Sequence, residues 1–223
     1  MRSSDWEITV TIAEIFGLTE IMAIEAGNSL IDNYGIAFDI GTTNVGAELL
    51  DLNSFEVLSS KTSPNSQALF GPDIITRIIH AGKKDGLKEL QESIIETMNV
   101  IISDMANENN INLNQISCIV CAGNTTMMHL LLGVNPAYIR QNPYIPCANS
   151  FPHIKTYQIK LIVNPNSFLY CVPGVSSYVG GDITCGVLSS RLYAQEELSL
   201  LIDIGTNGEI ALGCKDFIIT CAA

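Results

Sequence analysis

Short alternations of apolar and polar residues dominate the first part of the chain. The runs Trp6–Ala13 and Ile21–Ala26 are separated by Phe16-Gly17-Leu18, and two alternating runs around a glycine are typical of a β-hairpin. Three further strand-like runs follow closely and are joined by short polar turns: Gly35–Asp39, Val45–Leu52 and Glu56–Thr62. The pattern therefore predicts a small hairpin followed by an antiparallel meander.

A helical period replaces this alternation in the middle of the chain. From Leu87 to Met105, apolar residues recur three and four positions apart with acids and amides between them, which is typical of an amphipathic helix. Ile116–Cys121 is then a short β-rich apolar run, and Asn124-Thr125-Thr126 opens a helical run that Gly133 ends. We therefore expect the order strand, polar turn, helix in this region.

The last part of the chain begins with an irregular stretch. Pro, Asn and Tyr are frequent from Asn135 to Ser167 and no period is sustained there, so irregular structure is predicted. Leu169–Val172 predicts a strand, Asp182–Tyr193 a helix, and Leu198–Gly213 a repeat of the earlier strand, turn and strand. The predicted units are a small β segment at 1–33, a first lobe at 34–195 with an irregular insertion at about 135–168, and the incomplete start of a second lobe at 196–223.

The same four residues, Asp-Ile-Gly-Thr, end two apolar runs, at Asp39–Thr42 and at Asp203–Thr206. Glycine lets the main chain approach a phosphate closely, and the following amides and hydroxyls donate hydrogen bonds to its oxygens. One copy is equally consistent with a tight turn that an aspartate caps. Two copies are harder to attribute to chance, and two facing hairpins could clamp a polyphosphate between similar lobes.

The aspartates and turn residues are the candidate site. Asp39 and Asp203 are predicted Mg²⁺ ligands, because magnesium prefers few carboxylates and keeps much of its water. Asp182 follows two glycines at the first turn of a predicted helix, where it either caps the helix or orients a water. Catalytic roles are predicted for these three aspartates. The predicted nucleotide contacts are Gly41, Thr42, Thr43, Asn44, Gly205, Thr206, Asn207, Gly208, Asn124 and Thr125, with ordinary N-capping an equal alternative for the last two.

Composition narrows the choice of partners. The formal net charge of -12 disfavours nucleic acid, because no surplus of Lys and Arg exists to displace its counterions. Mg²⁺ can instead supply positive charge for a nucleotide in an acidic protein. The odd set of seven cysteines, scattered among apolar neighbours, favours reduced thiols in a cytoplasmic protein. Cys118 and Cys121 have the spacing of a redox or metal pair, but their place in an apolar strand favours buried cysteines. No stretch approaches the roughly 18 apolar residues of a membrane span, and the N-terminus lacks a signal-peptide pattern.

Together these motifs resemble the superfamily of actin, Hsp70 and the sugar kinases (ASKHA), whose two lobes each begin with such a hairpin. Asp39–Thr43 is similar to its first phosphate motif, Asp203–Glu209 to its second, and Gly180-Gly181-Asp182 to its first connecting segment. The resemblance implies an α/β fold with ribonuclease-H-like lobes. The expectation is one actin-like lobe, a mixed sheet flanked by helices, plus the first hairpin of a second lobe. It also implies ATP with Mg²⁺ as ligands and favours the functional role of Asp182.

Within that superfamily the chain resembles most closely the reductive activators of corrinoid proteins, iron-sulfur ATPases that restore a cobalt cofactor to its Co(I) state. The segments that carry this resemblance are Ser63–Gln67, Gly71–Ile78, Ala122–Gly133 and Asp203–Ile210. It implies ATP hydrolysis coupled to reduction, and the expected partners are nucleotide, a corrinoid protein, an electron donor and a second copy of the chain. The family's [2Fe-2S] domain and adenosine-binding segment have no counterpart here, so truncation at both ends is expected.

Two other functions are consistent with the same motifs. A small-molecule kinase of the superfamily would need a substrate pocket with a carboxylate base beside the γ-phosphate. A non-catalytic or truncated interaction module would keep the first lobe without hydrolysing ATP. Binding of Mg-ATP separates the module from the two enzymes, and a screen of small acceptors for ADP release separates the kinase from the activator.

Overall fold

Eleven strands and four α-helices form the regular structure of residues 5–15 and 17–222, which a computed structural model describes. The strands are β1 (Ile8–Ile15), β2 (Leu18–Ala26), β3 (Tyr34–Ile40), β4 (Asn44–Asp51), β5 (Val57–Pro64), β6 (Ile116–Gly123), β7 (Ile154–Lys155), β8 (Phe168–Cys171), β9 (Ser199–Ile204), β10 (Gly208–Cys214) and β11 (Phe217–Ala222). The helices are α1 (Ile74–Ala81), α2 (Gly86–Asn109), α3 (Thr125–Leu132) and α4 (Gly181–Ser189). Within those ranges, every helix is too short or too polar to cross a membrane.

The central sheet has the strand order β5-β4-β3-β6-β8-β7. Strands β3, β4 and β5 form the predicted antiparallel meander, whereas β3, β6 and β8 run parallel. The parallel ladder pairs Ile40 with Gly123, at the carboxyl ends of β3 and β6. Because carboxyl ends of parallel strands meet at one edge of a sheet, the turns that follow these two strands are neighbours.

Helix α2 covers this sheet with the apolar stripe predicted from its period. Leu87, at the start of the stripe, is partly buried, and the other predicted members are at most 3% exposed: Leu90, Ile94, Met98, Ile101 and Met105. The helix extends four residues beyond the predicted end and stops where Asn110 adopts a left-handed conformation (φ +54°). Helix α1 begins with a capping box, in which the Asp73 carboxylate accepts a hydrogen bond from the Thr76 amide at 2.9 Å.

One predicted helix end near the end of the chain was wrong, and one strand was missed. The helix expected over 182–193 ends at Ser189, because Arg191 has a left-handed φ of +56° and a short 3-10 turn follows. Strand β11 follows the predicted strand, turn and strand and was not anticipated.

The irregular stretch from 135 to 167 was predicted correctly, since it contains only short 3-10 turns and β7. Phe16 and Ala223 lie outside the described residues.

Helix α4 joins the central sheet to a second sheet of order β11-β10-β9. Val179, Ile183 and Ala211 form a small buried cluster, and Leu201 and Ile218 pack against it. The second sheet is therefore attached through the same helix that carries Asp182. Strands β1 and β2 form the predicted hairpin. The side chain of Met22 on β2 is buried, and its carbonyl accepts hydrogen bonds from the side chains of Asn164 and Asn166.

Candidate functional site

The two Asp-Ile-Gly-Thr turns meet in space although they are far apart in the chain. The side-chain oxygens of Thr43 and Thr206, 163 positions apart, lie 2.8 Å from each other. Between the turns is a cleft of about 250 Å³. Its lining consists of Asp39, Gly41, Thr42, Thr43, Asn44, Asn124, Asp182, Asp203, Gly205, Thr206, Asn207 and Glu209. Most of the predicted site residues therefore share one cavity.

The first hairpin is anchored in the core. Ile40 and Val45, which flank the turn, are both fully buried, and Thr42 is only 6% exposed. A Cβ atom at Gly41 would lie 2.5 Å from the carbonyl oxygen of Asn44, closer than two such atoms can approach. Glycine is thus required at this position by the close approach of the main chain to itself.

The turn after β6 supplies one unsatisfied polar group to the cleft. The Asn124 side-chain oxygen accepts a hydrogen bond from the Thr126 amide at 2.9 Å and caps α3. Its Nδ2 atom is buried and has no partner in the described part of the chain. A buried donor without a partner is costly, so Asn124 can both cap the helix and bind a ligand in the cleft.

Two of the predicted contact residues lie outside the lining of this cleft. The Thr125 hydroxyl donates a hydrogen bond to the carbonyl of Ser176 at 2.6 Å. Gly208 begins β10 and pairs with Ile204 in the sheet. Both residues therefore have structural roles beside the cleft rather than positions within its wall.

Asp182 reaches the cleft because α4 begins in direct contact with the turn after β6. A Cβ atom at Gly180 would lie 2.4 Å from the carbonyl oxygen of Gly123 and 2.6 Å from the Thr125 nitrogen. The absence of a side chain there lets two backbones touch. The Asp182 carboxylate accepts a hydrogen bond from the Ile183 amide at 2.8 Å while it lines the cleft. The N-cap residue of α4 is Gly180, so Asp182 lies in the first turn of the helix and does not cap it.

The carboxylates around the cleft repel one another. Asp39 is open to the cleft, yet desolvation by its surroundings and the charge of Asp203 raise its pKa. Burial raises the pKa of Asp182, with further contributions from Asp203 and Asp39. Glu209 has a pKa raised to about 7, first by burial and then by Asp182 and Asp203. None of these four acids forms an ion pair within the described residues, so the cleft favours a cation.

The cleft presents carboxylates of the kind that Mg²⁺ takes as ligands. Residues 5–15 and 17–222 contain no group of three or more His, Cys, Asp and Glu side chains arranged to hold a metal. That result is compatible with Mg²⁺, which takes one or two carboxylates and completes its shell with phosphate oxygens and water. All seven cysteines are free, and burial raises the pKa of Cys121 and raises that of Cys171 to about 12.

Glu209 is the lining residue that the sequence reasoning missed. It lies on β10 directly opposite Asp203 on β9, and residues opposite each other in an antiparallel pair share a face of the sheet. Its side chain is 6% exposed. The signal was present in the sequence, because an antiparallel hairpin closed at Gly205–Asn207 places Asp203 and Glu209 on the same side.

Comparisons with known proteins agree with this geometry. Residues 34–195 match the family model described as the RACo middle region, which is more than half of the chain. The chain belongs to the RACo family. Residues 197–223 also match the model described as the C-terminal domain of RACo, the ASKHA domain. The predicted ASKHA fold is therefore confirmed, and this ATPase-like fold is consistent with nucleotide binding in the cleft.

Three RACo-like relatives show how much of a longer protein the chain represents. A solved structure, a reductive activator for corrinoid, iron-sulfur protein, has 43% sequence identity and a TM-score of 0.93 over 99% of this chain and 35% of its own. The corrinoid activation enzyme RamQ of Eubacterium limosum is 33% identical over 98% of this chain and 39% of its own length. A Methanosarcina barkeri reductase of a methylated amine-specific Co(II) corrinoid protein is 28% identical over 85% and 36%, respectively. The chain thus spans less than two fifths of each relative.

Proposed function

We propose that this chain is the ATP-binding part of a reductive activator that restores the cofactor of a corrinoid protein to Co(I). The observation that carries the proposal is the convergence of two like hairpins on one acidic cleft. The family membership and the functions for which the three relatives are named support it. In this proposal residues 34–195 form the first lobe, 196–223 begin the second, and 1–33 link them to a preceding region.

The cleft residues divide the chemistry among themselves. Hydroxyls and amides of Thr42, Thr43 and Thr206 would bind phosphate oxygens, as would Asn207. Asp39 and Asp203 would hold Mg²⁺, whose charge would offset that of the phosphates. Asp182 would orient the attacking water. Glu209, with its pKa near neutrality, would be a proton acceptor at physiological pH.

A nucleotide that contacts both hairpins can change how the two sheets are placed relative to each other. Because the hairpins belong to different sheets, a bound triphosphate favours one relative placement of the sheets, and its hydrolysis removes that preference. Such a switch could couple ATP hydrolysis to an unfavourable reduction. The corrinoid protein and an electron donor carrying a [2Fe-2S] cluster are the partners proposed, with the cytoplasm as the compartment and a homodimer as the assembly.

Calorimetry with Mg-ATP tests this proposal. We expect the chain to bind Mg-ATP, and we expect EDTA to abolish the binding. Asp39→Asn and Asp203→Asn should each weaken binding by about tenfold or more, since each removes a charged ligand. Asp182→Asn should retain affinity but lower phosphate release about 100-fold. A wild-type chain that does not bind Mg-ATP would instead support a non-catalytic module.

One observation favours a kinase as the second candidate. A cavity of about 400 Å³ adjoins the cleft and shares Asn124, Asn207 and Glu209 with it, and its wall includes Ile74 and Tyr178. A small acceptor in this cavity would lie next to the Glu209 carboxylate. Acceptor-dependent ADP release in a screen of small alcohols and acids would support the kinase, and ADP release that depends only on water would support the activator.

A further inference from the structure

Two of the segments that carry the resemblance to the family lie outside the cleft. Ser63–Gln67 and Gly71–Ile78 bring three polar side chains into the core behind the first hairpin. Asn65 and Gln67 are each 1% exposed and Arg77 is fully buried. Buried polar side chains need internal hydrogen-bond partners. Their partners show what these segments do.

The partners are the carbonyl groups of the first phosphate turn. Asn65 Nδ2 donates to the Gly41 carbonyl at 2.8 Å, and the Asn65 amide donates to the Thr43 carbonyl at 2.9 Å. Between them, Arg77 Nη2 donates to the Thr42 carbonyl at 2.7 Å. Three consecutive carbonyls are therefore held on the core side. In a trans peptide the N–H group points opposite to the carbonyl, so the next three amides are directed towards the cleft.

Arg77 brings a positive charge into the core, where the charge of Asp73 acts on it without forming an ion pair. Its Nε donates to the Gly71 carbonyl at 2.9 Å, and Nη1 donates to Gln67 Oε1 at 3.2 Å. All of these acceptors are uncharged, and no ion pair of the described residues includes Arg77. Burial lowers its pKa to about 10, so the guanidinium stays protonated at neutral pH. Solvent screens a buried charge much less than an exposed one.

We infer that Arg77 is a positioning residue of the phosphate site. It helps to fix the carbonyls of the first turn on the core side, so that the amides face the cleft, and it places a fixed positive charge behind the turn. The inference rests on the proposed binding of a nucleotide in the cleft. Arg77 does not touch the ligand, because its side chain is completely enclosed. Its charge favours ligands in proportion to their negative charge, so the site selects a triphosphate over a diphosphate.

Two substitutions separate the effect of the hydrogen bonds that Arg77 donates from the effect of its charge. Arg77→Lys keeps the positive charge but loses the planar fork that reaches the Thr42 and Gly71 carbonyls together. Gln67→Glu keeps the fork and places a carboxylate against the guanidinium, which neutralises its charge. Arg77→Met removes both, and Lys84→Met removes one positive charge at an exposed position as the matched control.

The affinities for Mg-ATP and Mg-ADP form the first measurement. We expect Arg77→Met and Gln67→Glu to weaken Mg-ATP binding about tenfold or more, and to weaken Mg-ADP binding less. Arg77→Lys should keep the ratio of the two affinities, and Lys84→Met should change neither affinity. Equal losses for both nucleotides in Arg77→Met and Gln67→Glu would overturn the electrostatic role.

Amide hydrogen exchange without nucleotide forms the second measurement, and it needs only the folded chain. Arg77→Met and Arg77→Lys should raise the exchange rate of the Asn65 amide, which donates to the Thr43 carbonyl of the first turn, about tenfold, and leave that of the Gly205 amide, which donates to the Asn207 carbonyl of the second turn, unchanged. Unchanged rates at the first turn would overturn the positioning role. If Arg77→Met does not fold, Arg77→Lys and Gln67→Glu carry both measurements.

The two proposals fail in different ways. A wild-type chain that does not bind Mg-ATP overturns the proposed function and the electrostatic part of the inference, and faster exchange in Arg77→Lys then still supports the positioning part. Suppose instead that wild type binds Mg-ATP, that Arg77→Met and Gln67→Glu bind Mg-ATP and Mg-ADP as tightly as wild type does, and that exchange at the first turn is unchanged. That result overturns the inference and leaves the proposed function intact.

Discussion

The two phosphate hairpins have the same four-residue sequence but very different support. Behind the first turn lie the buried side chains of Asn65 and Arg77, which bind its carbonyls. The second turn is closed by its own hydrogen bond, from the Gly205 amide to the Asn207 carbonyl at 2.9 Å, and the adjacent Ile204 is 87% exposed. Equal motifs therefore do not imply equal rigidity, which comes from the packing behind each turn.

This difference suggests that the two turns have different roles when a ligand binds. A turn fixed by the core is a preformed half-site, whereas a turn on a small exposed sheet can adjust to the ligand. The second sheet is held to the first lobe mainly by the small cluster around Ile183 and Ala211. Motion on nucleotide binding is thus expected in β9–β11 and not in β3–β4.

Substituting alanine for the glycine of each motif should give the largest difference between the two turns. A Cβ at Gly41 would collide with the Asn44 carbonyl, whereas the nearest atom to a Cβ at Gly205 is 3.8 Å away. We expect Gly41→Ala to lower the free energy of unfolding by about 2–3 kcal/mol and Gly205→Ala to change it by less than about 0.5 kcal/mol. Chemical denaturation of both variants measures this, and similar losses would show that the turns are equally constrained.

The pH dependence of stability tests Glu209, which belongs to the second hairpin. The pKa of Glu209 rises from 4.5 to about 7 on folding, so its contribution to stability is complete below the unfolded pKa and is lost as pH rises through about 7. Because the cleft admits solvent, we expect Glu209→Gln to be more stable than wild type by about 2 kcal/mol at pH 8, and equal to it below pH 4.5.

Thermal unfolding of Glu209→Gln across that pH range, in metal-free buffer, checks this prediction. Glu56→Gln removes the same charge at an exposed position and is the matched control. A stability difference that did not depend on pH would show that Glu209 acts through packing and not through its charge.

The smallest expected effect concerns the contact between the two turns. Thr43 and Thr206 share one exposed hydrogen bond, and such a bond contributes only about 0.5–1 kcal/mol. A double-mutant cycle with Thr43→Val and Thr206→Val should give a coupling free energy of that size in the absence of nucleotide. A coupling near zero would mean that the turns are independent until a ligand arrives.

Local patterns were enough to predict the scaffold of the site. The meander, the period of α2, the cap at Asn124 and both hairpins follow from spacing and turn chemistry. The end of α4 was misplaced because the left-handed conformation of Arg191 has no glycine or proline to announce it. Strand β11 was missed because its pairing with β10 is a tertiary choice for a short apolar run.

The role of Arg77 could not be derived from local patterns, although a trace of it was visible. Arg77 lies between Ile74 and Ile78 on the buried face of α1, where a charged residue is rare unless it is paired. Which groups satisfy it depends on the turn 35 positions earlier, and only the folded structure places that turn beside the helix.

The contact between Thr43 and Thr206 also determines what an entering ligand must displace. The single bond between the hydroxyls is replaced by two when a phosphate binds across both turns, because each hydroxyl can then donate to a phosphate oxygen. The two oxygens are only 2.8 Å apart, too close for a phosphate oxygen to lie between them, so this exchange must also separate the turns. The second sheet, which packs on α4 through a small cluster, is the part expected to move.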